Sequence, residues 1–449
     1  MASLLETYAP RLKVANAVHQ KTHLGESMGS FKEIAVAKCL DNVNKFITEA
    51  FNNSIGTQRS DLGDFKKFAL NLTTVALPNL IAFDLVIVQP MTSFSGYITY
   101  VQYTAGSNKG NTKRGDVLND PFRLGKVDTN YTGATVNETH TATAEEVAAH
   151  KFKVDWVPVL NFQGIKIGDT TYKIVEAGSE VADKSVSVSS DGTITFATTD
   201  TKFVAEAEVK VLYEYDNVVI PQNDLPIVNA EIKSLALVAK ARRVAVYYSQ
   251  IAAYQAKTDY GFDLGDQLAE KAVGQLAYEI DTEITQLLID NAESDDSIVW
   301  SKTLPVGVSK TEHYEGFTEI IEIARQKIYD RTKRFAPNYM LIASNILPIL
   351  TFIKGFSAAP TGAINGPYFA GTLNGLKVFV TPNIEPGKFV IGVNGDDMMS
   401  SAAVYAPYMA VVPTQLLGYA DGAMSQGWST LYDLKLLNKD LLIAGRITA

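Results

Sequence analysis

The stretch 263–293, DLGDQLAEKAVGQLAYEIDTEITQLLIDNAE, decides how the rest of the chain is read. Leu264, Leu268, Ala272, Leu276, Ile280, Ile284, Leu287 and Leu288 recur at three- and four-residue spacing. That spacing predicts one amphipathic helix, with Asp263 as its N-cap. About 30 residues at 1.5 Å rise make a rod of roughly 45 Å, long against the ordinary mean of three turns. Its other face is acidic, with Asp266, Glu270, Glu279, Asp281, Glu283 and Asp290. Downstream, residues 301–404 have an α/β pattern. FTEIIEIARQKIYDRT reads as a helix, NYMLIAS as a buried strand, and NILPILTFIKGF as a short helix beginning near Asn345. GLKVFVTP and KFVIGVNGDD read as strands separated by Pro386-Gly387, and the end of the chain alternates and returns to a sheet with no terminal tail. Just upstream of the rod, AEIKSLALVAKARRVAVYYSQIAAYQA (230–256) reads as a second strong helical pattern.

The N-terminal half is less uniform. Residues 1–60 are polar and mixed, and read as an extended arm that packs on something else, being too small to bury a core alone. Within them Ile34, Ala37, Leu40, Val43, Ile47 and Ala50 predict an amphipathic helix over 31–51, with Cys39 beside its apolar stripe. Residues 77–104 read as strand, turn, strand: LPNLIAFDLVIVQPM is apolar and β-branched, and GYITYVQYT alternates. A long glycine-rich excursion follows at 105–128, carrying Lys109, Lys113, Arg114, Arg123 and Lys126. Loops of that length are functional or disordered. Residues 150–217 look like a separate β module, a small sandwich or barrel inserted into the chain. Asp191-Gly192 supplies a hairpin turn, Gly168-Asp169 a second, and Val209, Val211, Tyr213 and Tyr215 share one strand face.

Composition narrows the function. The 449 residues are 46% hydrophobic and 20% charged, ordinary for a globular protein and too apolar for disorder. The balance of 40 basic against 49 acidic residues, net −9, argues against a dedicated nucleic-acid binder. A single cysteine, Cys39, makes neither an intrachain disulfide nor a zinc site, which fits synthesis in a reducing compartment. The N-terminus lacks the apolar run of a signal peptide, and no stretch approaches a membrane span. The four Asn-x-Ser/Thr sequons, beginning at Asn52, Asn71, Asn130 and Asn137, are read as chance.

No catalytic constellation emerges. His19 and His23 are four apart, as a metal pair on a helix would be, but no third ligand motif lies near, and both read as solvated. His140 and His150 flank the β module and read as surface residues, and His313 sits at a loop or helix start. Neither GxxxxGK[ST] nor GxGxxG occurs, and the one GxSxG match, GESMG at 25–29, follows no strand pattern such as a nucleophile elbow needs. Carboxylates along the rod read as a solvated face rather than a glycosidase pair. Asp295-Asp296 lacks the oxygen-rich loop with a turn glycine that calcium requires. No catalytic, cofactor-binding or metal residues are therefore assigned, no cofactor is expected, and the chain reads as a non-enzyme. What stands out is electrostatic: the basic loop against the acidic rod. They read either as two independently solvated surfaces or as complementary surfaces on neighbouring copies, Lys109, Lys113, Arg114, Arg123 and Lys126 meeting Asp266, Glu270, Glu279, Glu283 and Asp290. Exposed pairs are each worth only about 0–1 kcal/mol, so repetition over many copies would have to matter.

Five segments resemble a known family in order: LPNLIAFDLVIVQPMTSFSGYI (77–98), AYEIDTEITQLLI (277–289), NYMLIAS (338–344), AGTLNGLKVFVTP (370–382) and FVIGVNGDDMMSSAAVYAPYMAV (389–411). Together they resemble the major capsid proteins of tailed bacteriophages with the Hong Kong 97-type fold, nearest the T-even-like myovirus branch. The resemblance implies an α+β fold of six parts. These are an N-terminal arm (1–76), peripheral-domain strands and an extended loop (77–129), a β-rich insertion (130–217), the loop's return with the spine helix (218–300), an axial domain (301–404) and a peripheral C-terminal return (405–449). It implies an icosahedral head shell of hexamers and pentamers around double-stranded DNA, made in the host bacterial cytoplasm and ending in the virion. The implied partners are the chain itself, scaffold and portal proteins during assembly, decoration proteins, and packaged DNA by weak non-specific contact, with no membrane.

Some relatives crosslink an extended-loop lysine to an asparagine, a role open here to Lys109 or Lys113. T-even-like capsid proteins are cut after Glu in (Ile/Leu)-x-Glu, and Ile47-Thr48-Glu49 fits that pattern. It sits inside a helical pattern, so no cleavage is expected. Two alternatives stay open at this point: an encapsulin-type nanocompartment shell, and a carbohydrate-binding or adhesive virion protein built on the β module.

Overall fold

The computed structural model describes residues 2–22, 27–52, 69–75, 77–119, 131–177, 181–218, 225–261, 264–359, 366–395, 397–414, 417–419 and 422–448. The chain divides into two compact units, Met1–Ile98 with Ser234–Ala449, and Thr99–Lys233.

The first unit holds two sheets. One runs β1 (Ile87–Val88), β19 (Ala403–Pro413), β21 (Ala423–Leu436), β12 (Lys240–Ser249), with β20 (Leu417–Gly418) paired to β21. The other has seven strands in the order β13 (Glu293–Ser301), β22 (Leu442–Thr448), β18 (Lys388–Gly392), β14 (Tyr339–Ile342), β17 (Leu376–Val380), β16 (Tyr368–Leu373), β15 (Phe356–Ala358). Tyr339–Ile342 is buried at every position, the continuous apolar run of a strand covered on both faces. Helices α1 (Ala2–Thr22) and α2 (Ser30–Asn52), the rod α3 (Leu264–Asn291) and α4 (Phe317–Thr332) share one core with these sheets. The α2 stripe of Leu40, Val43 and Ile47 is buried there, worth about 1.5–3 kcal/mol per side chain. Cys39 is buried beside it, facing the Pro407 carbonyl, and burial pushes its thiol up to about 12. Among the described residues of 1–52 the chain forms two helices that join the core.

The second unit is built on a seven-stranded sheet: β4 (Thr135–Thr141), β10 (Glu208–Tyr215), β6 (Val159–Ile167), β7 (Thr170–Glu176), β8 (Ser185–Val188), β9 (Thr193–Phe196), β5 (Lys151–Lys153). Its pairings are antiparallel except β7 with β8. Val209, Val211, Tyr213 and Tyr215 are buried in its core, as their alternation predicts. Gly168 (φ 58°) and Gly192 (φ 84°) occupy the left-handed positions of the two expected hairpins. A third, three-stranded sheet is formed by β11 (Val228–Val238), β2 (Ser95–Ala105) and β3 (Val117–Asn119). The chain passes between units within β2 and β11.

Four readings are corrected. The 230–256 stretch forms β11 and β12, and only Gln250–Asp259 is helical. KARRVAVYYS alternates exposed and half-buried residues, and its Val and Tyr side chains suit a ladder that β21 completes from Lys240↔Tyr432 to Ser249↔Ala423. Upstream of β2, LPNLIAFDLVIV is a short 3-10 turn and a four-residue helix, with only Ile87–Val88 as strand. The β module is one mixed sheet rather than a closed barrel. The last 45 residues divide: β19 and β21 lie in the first sheet, whereas β22 inserts between β13 and β18 in the second. The rod itself forms as read, its proposed cap Asp263 falling outside the described residues.

Candidate assembly surfaces

The described part of the basic loop, 105–119, is a structured turn. Gly106 N donates to the Ile227 carbonyl at 2.6 Å, and Lys109 and Thr112 exchange backbone hydrogen bonds at 2.9 and 3.0 Å. Gly110 (φ 55°) sits so close to strand β4 that a Cβ would come within 2.4 Å of the Asn137 carbonyl, which instead accepts from Asn111 N. This close approach turns Lys109 inward. Its Nζ donates to the carbonyls of Tyr131 (2.9 Å) and Gly133 (2.5 Å), and lies over the rings of Trp156 (5.7 Å) and Tyr215 (5.1 Å). Lys109 is therefore buried, not part of an exposed basic face. The carbonyls and aromatic faces take the place of its hydration shell. Lys113 and Arg114 are exposed. Arg123 and Lys126 lie outside the described residues.

On the rod, Glu270 and Asp290 are exposed, and nothing is described of the Asp266 side chain. Glu279 and Glu283 are half-buried and already paired within the chain, Arg242 donating to them at 3.1 and 2.6 Å. Tyr432 donates to Glu283 as well. Asp281, read as part of the acidic face, is buried and accepts from Ile81 N at 3.1 Å. Burial raises its carboxyl to about 8, outweighing the hydrogen bonds from Ile81 and Ala82 that pull it down. Sequence reasoning missed Arg242. Its signal was the register Arg242, Val244, Val246, a cation on the strand face whose valines meet Ala272 and Leu276 of the rod.

His19 is buried rather than solvated, near the Pro78 carbonyl, and His23 lies outside the described residues. His140 stacks on Phe152 and meets Glu146 at 2.8 Å, and His313 stacks on Trp300. Asp295 is held below the usual carboxylate range by Lys327 and by hydrogen bonds from Ser297. Among the described residues no group of three His, Cys, Asp or Glu is placed to hold a metal ion, and no helix is long and apolar enough to cross a membrane.

Lys109, Glu279, Asp281 and Glu283 are thus engaged within the chain itself, and comparison with known proteins says what kind of protein it is. Residues 62–440 match the family described as major capsid protein Gp23. The major capsid protein of Enterobacteria phage T4 is 24% identical over 388 residues, covering 75% of this chain and 68% of that one. The mature capsid subunit of bacteriophage PhiM1 aligns with TM-score 0.35 at 12% identity, over 51% of this chain and 77% of that one. The SrpI encapsulin of Synechococcus elongatus PCC 7942 aligns with TM-score 0.35 at 12% identity, over 49% and 77%. The class is that of viral capsid subunits, built here on an α+β fold. The chain belongs to the Gp23 major capsid protein family. It is a tailed-phage major capsid protein, and its place is the virion shell, which it builds by assembling with itself.

Proposed function

We propose that copies of this chain form hexamers and pentamers of an icosahedral head around double-stranded DNA, without catalysis of their own, in company with scaffold and portal proteins and with decoration proteins. The observation that carries the reading is the β2–β11 pair. Tyr97, Val101, Tyr103, Val228 and Ile232 are exposed on it, and β11 is the edge of its sheet. Such an edge is an aggregation hazard on a monomer and a natural site for a neighbouring copy. In this reading 1–76 is the arm, 77–129 the peripheral-domain strands and extended loop, 130–217 the β-rich insertion, 218–300 the loop's return and the peripheral domain with its spine helix, 301–404 the axial domain and 405–449 the peripheral C-terminal return. Lys113 and Arg114 then meet Glu270 and Asp290 of a neighbour, with Arg123, Lys126 and Asp266 as further members. Lys109, Glu279 and Glu283 serve inside their own chain first. The net charge of −9 suits a shell that lines DNA without gripping it.

The test is expression with and without a cognate scaffold, imaged by negative-stain electron microscopy. Closed shells, or sheets and tubes of hexameric rings, are expected. Soluble monomers in both conditions would overturn the reading. Nucleic acid rather than enzyme cargo inside isolated particles separates a phage head from a nanocompartment.

A further inference from the structure

We infer that the β-rich insertion is a brace for the extended loop, with Lys109 as the pin that joins them, so that the loop is presented for assembly in one preset orientation. This rests on the self-assembly reading and gives the insertion a part in it. The two chain connections between the three-stranded sheet and the insertion, 120–130 and 219–224, lie outside the described residues. Among the described residues, the turn between β2 and β3 is wedged against both bodies. On one side Gly106 N donates to the Ile227 carbonyl, and a Cβ on Gly106 would come within 2.6 Å of the Ile227 side chain. On the other, Gly110 lies against β4, and Asn111 N donates to the Asn137 carbonyl at 3.0 Å. Between the two glycines Lys109 crosses into the insertion, to the Tyr131 and Gly133 carbonyls and the rings of Trp156 and Tyr215. Tyr131 reaches the opposite way. It packs with Ala105 of β2 and Leu118 of β3, and its hydroxyl donates to the Ile227 carbonyl at 2.9 Å.

A lysine on a hairpin turn ordinarily lays its stem on its own strands and keeps its head in water. Lys109 instead exchanges its hydration for partners in three separate places of the insertion: the entry at 131–133, Trp156 just after β5, and Tyr215 of β10. Tyr215 belongs to the insertion's buried core, so the pin is anchored to that core. The sheet that it holds is weak by itself. Strand β3 adds only the pairs Tyr103↔Asn119 and Thr104↔Val117, which leaves the sheet close to a two-stranded ribbon, marginal alone in water. Its buried cluster at this end is Ala105, Leu118 and the insertion's own Tyr131. Docking through a surface that must first be frozen in place weakens association, so a loop braced beforehand binds better than one that swings. Lys109, Trp156 and Tyr215 are thus positioning residues for assembly.

The experiment follows the full chain before assembly by double electron–electron resonance. One spin-label pair spans the joint, Lys233→Cys on β11 with Lys173→Cys on β7, and a second lies within the insertion, Lys173→Cys with Thr198→Cys. All three positions are exposed, and the one native cysteine, Cys39, is buried. In the parent both pairs are expected to give narrow distance distributions. In Lys109→Met the pair across the joint should broaden about twofold or more. The pair within the insertion should stay narrow, and shell yield per folded chain should fall by about tenfold. Trp156→Leu removes one ring and leaves both carbonyl bonds. It should fall between, and takes the place of Lys109→Met if that variant does not fold. A broad distribution across the joint in the parent would overturn the inference. So would parental width in folded Lys109→Met, whose lowered melt would then mark Lys109 as a residue of stability alone. Broadening of both pairs together, or broadening with parental shell yield, would overturn it as well. If the parent makes no shells, the assembly reading fails by itself, and the distance widths alone decide the brace.

Discussion

The glycine-rich loop and the rod helix each hide one charge and show others, and they do it by opposite means. Lys109 is buried with a full complement of partners: two carbonyls hold its ammonium and two aromatic rings flank it. Asp281 is buried with backbone N–H groups only, and desolvation outweighs them, raising its carboxyl to about 8. A cation can be brought inside as a cation when carbonyls replace water. A carboxyl given fewer donors is held inside as the neutral acid over most of the neutral range. Four residues from Lys109, Lys113 stays in solvent, and two residues either side of Asp281 the glutamates lean on Arg242. Neighbouring charges of one sign therefore have different work.

The largest effect that would break this comparison is at Asp281. Its folded pKa lies above the ordinary unfolded value, so between about pH 4 and about 8 the folded chain binds a proton that the unfolded chain has lost. Its contribution to stability falls as pH rises through that window, on the order of 5 kcal/mol in total, and is level above it. Asp281→Asn keeps an oxygen facing Ile81 N and removes the titration. Melting curves at pH 5 and pH 8 should converge in the variant relative to the parent. An unchanged pH slope would mean the carboxyl is not the source.

Next comes Lys109→Met, which keeps the apolar stem but strands two buried carbonyls, at a cost of about 2–4 kcal/mol. The expected signature is faster amide hydrogen exchange around 107–116 and 131–137, with the rod unaffected. Arg242→Ala should cost only about 1 kcal/mol, because the ion pairs are partly exposed, and the loss should shrink at high salt in denaturant titrations. The smallest expected effect is Lys113→Ala with Arg114→Ala. Stability should stay within about 0.5 kcal/mol while assembly becomes less sensitive to salt. A stability loss equal to that of Lys109→Met would erase the distinction between the two lysines.

Much of the fold was legible because its signals are local. The rod shows its period over about seven turns' worth of apolar spacing, α2 shows the same stripe, and Phe317–Thr332 coincides with the helix read there. The 230–256 stretch was misread for a physical reason. Ala, Leu, Lys and Arg favour helix on propensity, but the alternation of Arg242, Val244 and Val246 is a strand pattern whose hydrogen-bond partner, β21, lies nearly 200 residues away. The charged surfaces were legible only in outline. Composition marked the loop as basic and the rod as acidic, while the cage around Lys109 is assembled from residues 131, 133, 156 and 215.

The long helix, the β-rich insertion and the resemblance to capsid proteins can be read along the chain, since periodicity, turn glycines and ordered motifs are local. Which charges are surface and which are structure depends on folding. Folding turned Lys109 and Asp281 inward, paired Glu279 and Glu283 with Arg242, and sent the last strand into the second sheet. Desolvation depends on what the rest of the chain brings alongside, and that is a property of contacts distant in sequence.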